Sequence, residues 1–157
     1  MKKILVFRPD QLGDVILATP VFENLKKYYP KSEIISLTGS WTKNILENNP
    51  YIDKKIYYDY AFYDRDHNYK YFKKIINLFK LIILIRKEKI DIFIDLKGHL
   101  KSLVICYLSS AKQKIGKSNG WRGLFLNMKI PYRSDLYELE NNLNVISLIC
   151  KIHTKKI

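Results

Sequence analysis

At 157 residues, 47% apolar and with only six glycines and five prolines, the chain is the size of one domain with a real core; it is neither disordered nor fibrous. The net charge of +13 invites a nucleic-acid or membrane-surface role, but lysine outnumbers arginine 23 to 5 and accompanies abundant Ile, Asn and Tyr. Those four residue types share AT-rich codons, so charge alone establishes no such role.

Short apolar runs alternate with helical patterns. Residues 3–7, "KILVF", read as a buried strand closed by Arg8-Pro9, and residues 14–29 read as a helix in which Pro20 kinks the axis or caps a first short piece. A second strand is expected at 33–38, ended by Gly39, then a short helix at 42–49 stopped by Pro50. A weaker strand spans 54–59, followed by a polar, aromatic loop at 61–69. Residues 69–88 form a long helix with a lysine stripe. Its apolar run is too short and too interrupted by Lys80 to span a bilayer; it covers a sheet or lies on a membrane surface, and a crossover role favours the sheet. Strands at 91–96 and 112–117 flank a helix that opens at "KGHLKS" and runs to about Ser109, and a closing helix covers 135–152. Strand–helix–strand repetition with continuous apolar strands predicts a single α/β, Rossmann-like domain over 1–157, a parallel sheet with flanking helices.

Cys106 and Cys150 lack metal or redox spacing and read as buried thiols of a reducing cytosol. The apolar run after Lys2-Lys3 is too short for a signal peptide, so the chain is expected in the cytoplasm, with any membrane contact peripheral. His67, His99 and His153 share no ligand spacing with cysteines or carboxylates, and no metal site is proposed. His99 follows Gly98 near the expected site, where bonding to local backbone competes with a substrate contact. Tyrosines from Tyr57 to Tyr71 cluster with Phe62 and Phe72 and are expected at the rim of a cleft.

In open parallel sheets, ligands bind beyond the carboxyl ends of the strands. The turn after the first strand, "RPDQLGD", is therefore the first place to look for chemistry. Gly13 is expected to permit a tight turn and close ligand approach. Asp14 then sits at a helix N-terminus, where exposed N–H groups and the dipole favour negative charge. Asp10 or Asp14 can cap that helix, but two aspartates within five residues exceed what a cap needs. The sharper reading makes Asp14 a base that takes a proton from a substrate hydroxyl. With one glycine between strand and helix, and no Gly-Lys-Ser/Thr, neither a dinucleotide fingerprint nor a P-loop is present.

The segment "KILVFRPDQLGDVILATPVFENLKKYYP" resembles the opening of the heptosyltransferase-type glycosyltransferases, family 9, whose first strand is followed by an Arg-x-Asp-x-x-Gly-Asp turn. Arg8, Asp10, Gly13, Asp14 and Pro20 match it. "DIFIDLKGHLKS" resembles a second landmark through Asp95, Gly98 and Ser102, and "KIGKSNGWRG" and "YELENNLNVISLI" resemble later ones. The resemblance implies the N-terminal half of a GT-B enzyme that moves a heptose from an ADP-activated donor, as substrate and without a further cofactor, onto an anionic lipopolysaccharide-core glycolipid. It implies Asp14 as catalytic base, with Arg8, Asp10, Gly13, Gly98 and Ser102 at the substrate. Lys97, Lys101, Arg65 and Arg122 are candidates to neutralise the acceptor's acid groups, and Arg65 and Arg122 outrank the lysines because arginine is the better bidentate partner. The donor-binding C-terminal domain, with its own Asp-Ser-Gly turn, has no counterpart in these residues, so the chain is expected to be a truncated or split half, inactive without its partner domain. The alternative is a non-catalytic basic module for RNA or an anionic membrane surface. Carboxylates in the motif at 8–14 argue against it and against a nucleic-acid partner.

Overall fold

Strands alternate with helices throughout the computed structural model, which describes residues 1–59 and 71–152 except the side chains of 71–74. Strands β1 (Lys3–Phe7), β2 (Glu33–Thr38), β3 (Lys54–Tyr57), β4 (Ile92–Asp95), β5 (Gln113–Lys117) and β6 (Met128–Ile130) form one parallel sheet. Their order is β3-β2-β1-β4-β5-β6, so the strand order reverses between β1 and β4. The helices are α1 (Leu12–Ile16), α2 (Thr19–Tyr28), α3 (Lys43–Leu46), α4 (Tyr71–Lys87), α5 (Leu100–Leu108) and α6 (Glu138–Ser147). This is the Rossmann-like arrangement expected from the sequence pattern.

Alternation along β1 shows why its sequence is apolar throughout. Ile4 and Val6 enter a core shared with Val21, Phe22 and Leu25 of α2 and Val145 and Ile146 of α6. Leu5 and Phe7 point the other way, into a core with Leu81 and Ile85 of α4 and Ile105 of α5. With both faces covered, no position on the strand can be polar without cost. Phe7 meets Phe93 of β4 edge-on, ring centroids 5.8 Å apart, which fastens the two strands that bound the reversal point. The cysteines lie in opposite cores, Cys150 in the first and Cys106 in the second, so the sheet separates them. Burial pushes the Cys150 thiol up to about 11, leaving it unreactive at neutral pH.

Several boundaries differ from expectation. The helix expected at 14–29 is two helices, α1 and α2, and Pro20 stands in the first turn of α2, where its missing N–H has no intrahelical partner to lose. Strand β6 has three residues, too few for a periodic signal. The closing helix is shorter than 135–152, because the Glu140 carboxylate accepts a hydrogen bond from the Tyr137 N–H at 2.9 Å and starts it there. Helix α4 covers the sheet with Leu81, Ile82 and Ile85, as a crossover helix should. Its opposite side is not polar throughout: Ile75, Ile76, Phe79 and Ile83 lie on the surface. Among the described residues, no helix is long and apolar enough to cross a membrane.

Candidate functional site

The turns that follow β1, β4 and β5 converge with the start of α6 on a cavity of about 420 Å³. It lies at the carboxyl edge of the sheet, beside the reversal point, and has the size of a small-ligand site. Charged residues dominate its lining: Arg8, Lys97, Lys117 and Arg122 against Asp10, Asp14 and Glu138.

Arg8 is the centre of the arrangement. It is 4% exposed, and its guanidinium reaches three carboxylates. Nε lies 3.0 Å from Asp10 Oδ2, one terminal nitrogen 3.3 Å from Asp14 Oδ1, and the other 2.9 Å from Glu138 Oε1. The latter nitrogen also donates to the Leu96 carbonyl. Asp10 in turn pairs with Lys97, and its carbonyl accepts the Trp41 indole N–H at 2.9 Å. Glu138 also binds Lys117 Nζ at 2.5 Å, and Lys117 donates to Asn142 Oδ1 at 3.2 Å. Burial lowers the Lys117 pKa from the ordinary lysine value, and the hydrogen bond to Glu138 opposes that shift.

Four residues at the cavity differ from this closed network. Asp14 has a side chain 37% exposed and, among the described residues, a single ion-pair partner, so one carboxylate edge faces the open space. Arg122 is exposed and has no carboxylate partner among the described residues. His99 stands at the N-cap of α5 without a side-chain capping bond; burial, then the charge of Lys97, hold its imidazole below the usual value, hence neutral at pH 7. Ser118 is 8% exposed, and its hydroxyl has no hydrogen-bond partner among the described residues.

Beneath the cavity, Asp95 is completely buried at the end of β4. Its Oδ1 accepts the backbone N–H groups of Lys97 (2.9 Å) and Gly98 (3.3 Å), and its Oδ2 accepts the Ser102 hydroxyl at 2.7 Å. Asp95 therefore builds the turn before α5. Burial raises its pKa to about 6 despite these bonds. Between about pH 4 and 6 the unfolded state has already released the proton that the folded state retains, so stability falls as pH rises through that window. The loss is about 3 kcal/mol at roughly 1.4 kcal/mol per pH unit. Asp53 and Asp91, whose pKa values are lowered, work in the opposite sense. Asp95→Asn is therefore expected to remove a falling component from the stability–pH curve, measured as the difference between urea midpoints of the two proteins from pH 4 to 7.

Of the residues expected at a substrate, Arg8, Asp10, Asp14, Gly98 and Arg122 line the cavity. Arg8 and Asp10 do so with their charges already paired, so they shape the site and hold its electrostatics. Lys101 is exposed on α5 and Ser102 is wholly buried; neither lines the cavity, because the first turn of α5 turns Ser102 inward to Asp95 and Lys101 outward. Arg65 lies outside the described residues, as do Tyr60, Phe62, Tyr63 and Tyr69. Tyr58 is not at a cleft rim: it packs on the α4 core and donates to the Asn77 carbonyl at 2.7 Å.

The two glycines differ. Gly13 lies inside α1 without a positive φ, so no tight turn depends on it, and a Cβ there would meet only open space. Gly98 has φ +71°, and a Cβ would fall 2.7 Å from the Lys117 carbonyl. Gly13→Ala is expected to leave stability unchanged or raise it by up to about 1 kcal/mol. Gly98→Ala should cost about 1–3 kcal/mol. Chemical denaturation of the two variants checks the contrast.

Sequence reasoning missed Lys117, Ser118, Asn119, Tyr132 and Glu138 as lining residues. The first three end β5 and follow it directly, and the rule that ligands sit beyond strand ends was signal enough to find them. Glu138 lies in the segment "YELENNLNVISLI" but was not singled out within it; it reaches Arg8 across 130 residues.

No protein-family model matches the chain. It is 32% identical over 142 residues to lipopolysaccharide heptosyltransferase 3 of Escherichia coli, an alignment covering 86% of this chain and 39% of that protein. Among solved structures, the glycosyl transferase family 9 protein from Veillonella parvula superposes with a TM-score of 0.78 at 26% identity, covering 93% of this chain and 40% of that one. An E. coli heptosyltransferase solved with ADP shares the fold, with a TM-score of 0.75 at 16% identity over 98% of this chain and half of its own. The chain thus spans two fifths to one half of the length of these relatives. The relatives it matches are heptosyltransferases, and its structural neighbours include a glycosyltransferase of family 9.

Proposed function

We propose that the chain is the acceptor-side half of a heptosyltransferase, and that Asp14 is the base in sugar transfer. The observation that carries this reading is the half-open Asp14 carboxylate at the sheet's reversal point, backed by Arg8 and facing a cavity that Arg122 also lines. An acceptor hydroxyl placed beside Asp14 attacks the anomeric carbon of an ADP-activated heptose. The new C–O bond forms as the bond to ADP breaks, ADP leaves with the electron pair, and the hydroxyl proton passes to Asp14. The acceptor is an anionic lipopolysaccharide-core glycolipid, with Arg122 as the cation for one of its acid groups. The donor is held by a second Rossmann-like domain, in the same protein or a partner. One domain cannot hold both substrates in attacking geometry, a contribution of about 7–11 kcal/mol to the barrier.

The reading as a basic module for RNA is not favoured, because Arg8, Lys97 and Lys117 are already neutralised by carboxylates. Arg122→Ala should weaken acceptor binding by about 10–100-fold, the loss of one charge-assisted contact, as measured by calorimetry. To test the whole reading, heptose transfer from ADP-heptose is assayed with the 157-residue chain and with the same chain joined to the second half of a family 9 relative. Transfer by the joined protein alone is the expected result; efficient transfer by the isolated chain would overturn the division of labour.

A further inference from the structure

We propose that the outward face of α4 docks on a bilayer containing anionic lipid. A helix that covers a sheet needs one apolar stripe, and α4 has that stripe in Leu81, Ile82 and Ile85. It carries a second one that the fold does not use. Ile75, Ile76, Phe79 and Ile83 are 48%, 53%, 60% and 53% exposed. At 100° per residue they fall within a sector of about 100° that begins beside Ile82 and turns away from the sheet. Together they expose on the order of 400 Å² of apolar surface, as much as the largest patch of a typical monomeric protein.

Among the described residues, the charges beside this stripe are all of one sign. Lys80 and Lys87 border it and Arg86 lies at its end, each exposed. The next carboxylate along the chain, Glu88, is turned away to Lys54 at 2.7 Å and Lys3 at 3.8 Å. Aliphatic and aromatic side chains bordered by cations suit the boundary between acyl chains and anionic headgroups. A protein groove would more commonly meet them with matching acids.

The helix is also correctly placed for a membrane-bound acceptor. Its carboxyl-terminal end leads into the start of β4, and Glu88 pairs with Lys3 and Lys54 at the amino ends of β1 and β3. Its amino-terminal half therefore lies at the carboxyl edge of the sheet, where Tyr58, just past β3, holds the Asn77 carbonyl. That is the edge on which the cavity opens. Docking by residues 75–83 brings the cavity mouth toward the lipid surface.

The test needs no sugar transfer, so its failure is separate from failure of the proposed function. The 157-residue chain is sedimented with vesicles of phosphatidylcholine alone or with an equal part of phosphatidylglycerol. The chain should bind the mixed vesicles, and Phe79→Ser/Ile83→Ser should weaken that binding by at least about tenfold. Lys80→Glu/Lys87→Glu should weaken it and flatten its salt dependence, while Asp14→Asn leaves it unchanged. As a readout independent of stability, Phe79→Trp fluorescence should be quenched by brominated lipid. Unchanged binding by the Phe79/Ile83 variant, or a lack of quenching, would mean that the protein's overall positive field holds it to the vesicle, and the proposal falls. It falls equally if the chain is a dimer in solution that the same variant dissociates, since the face then meets a second copy.

Discussion

Asp14→Asn in the assembled enzyme is expected to lower kcat by about 10²–10⁴-fold while leaving acceptor affinity nearly intact, the effect of removing a positioned base. The substitution keeps the shape of the side chain and its place in the first turn of α1. It removes the charge that Arg8 holds at 3.3 Å and the lone pair that would accept the hydroxyl proton. Asp10 cannot substitute, although it is only four residues away, because its carboxylate is engaged by Lys97 and Arg8. Initial rates and acceptor Kd measured on the two proteins check the split. Transfer by the variant within tenfold of normal would remove the base assignment.

Arg8→Met should destabilise the isolated domain by about 3 kcal/mol, lowering Tm by roughly 6–12 °C, because it leaves the buried Asp10 and the half-buried Glu138 and Asp14 without the cation that joins them. The figure sits at the low end for a broken buried network, since Asp10 keeps Lys97 and Glu138 keeps Lys117. Methionine retains most of the volume, so lost packing contributes little. Arg8→Lys should recover only part of the loss, because an ammonium cannot address three carboxylates from three directions. Thermal unfolding followed by circular dichroism measures both. A Tm unchanged in Arg8→Met would mean that Arg8 is an ordinary surface charge, contrary to its burial.

The sheet was legible in the sequence because parallel strands buried on both faces leave short, unbroken apolar runs. "KILVF" and "DIFIDL" show this directly, and their interruption by helical periods gives the topology. Strand β6 was not legible: three residues at an edge carry no period. Asp14 could be placed because the rule for open sheets and the turn "RPDQLGD" agree. The role of Arg8 could not, since what fixes it is Glu138, remote in sequence and close only once α6 packs beside β5. Ser102 and Lys101 show the same limit from the other side. Adjacent polar residues at a helix start look alike on paper, and the helix turns one into the core and the other to solvent. In α4 the apolar run was expected to cover the sheet rather than lie on a membrane surface; Leu81, Ile82 and Ile85 do cover it, while Ile75, Ile76, Phe79 and Ile83 stay on the surface.

The acceptor-side assignment is tested most directly by two-dimensional NMR of the 157-residue chain, titrated separately with a phosphorylated lipopolysaccharide-core oligosaccharide and with ADP. The account predicts saturable shifts of the Asp14, His99, Asn119 and Arg122 amides with the oligosaccharide and none with ADP. Shifts of those amides with ADP, and silence with the oligosaccharide, would contradict it.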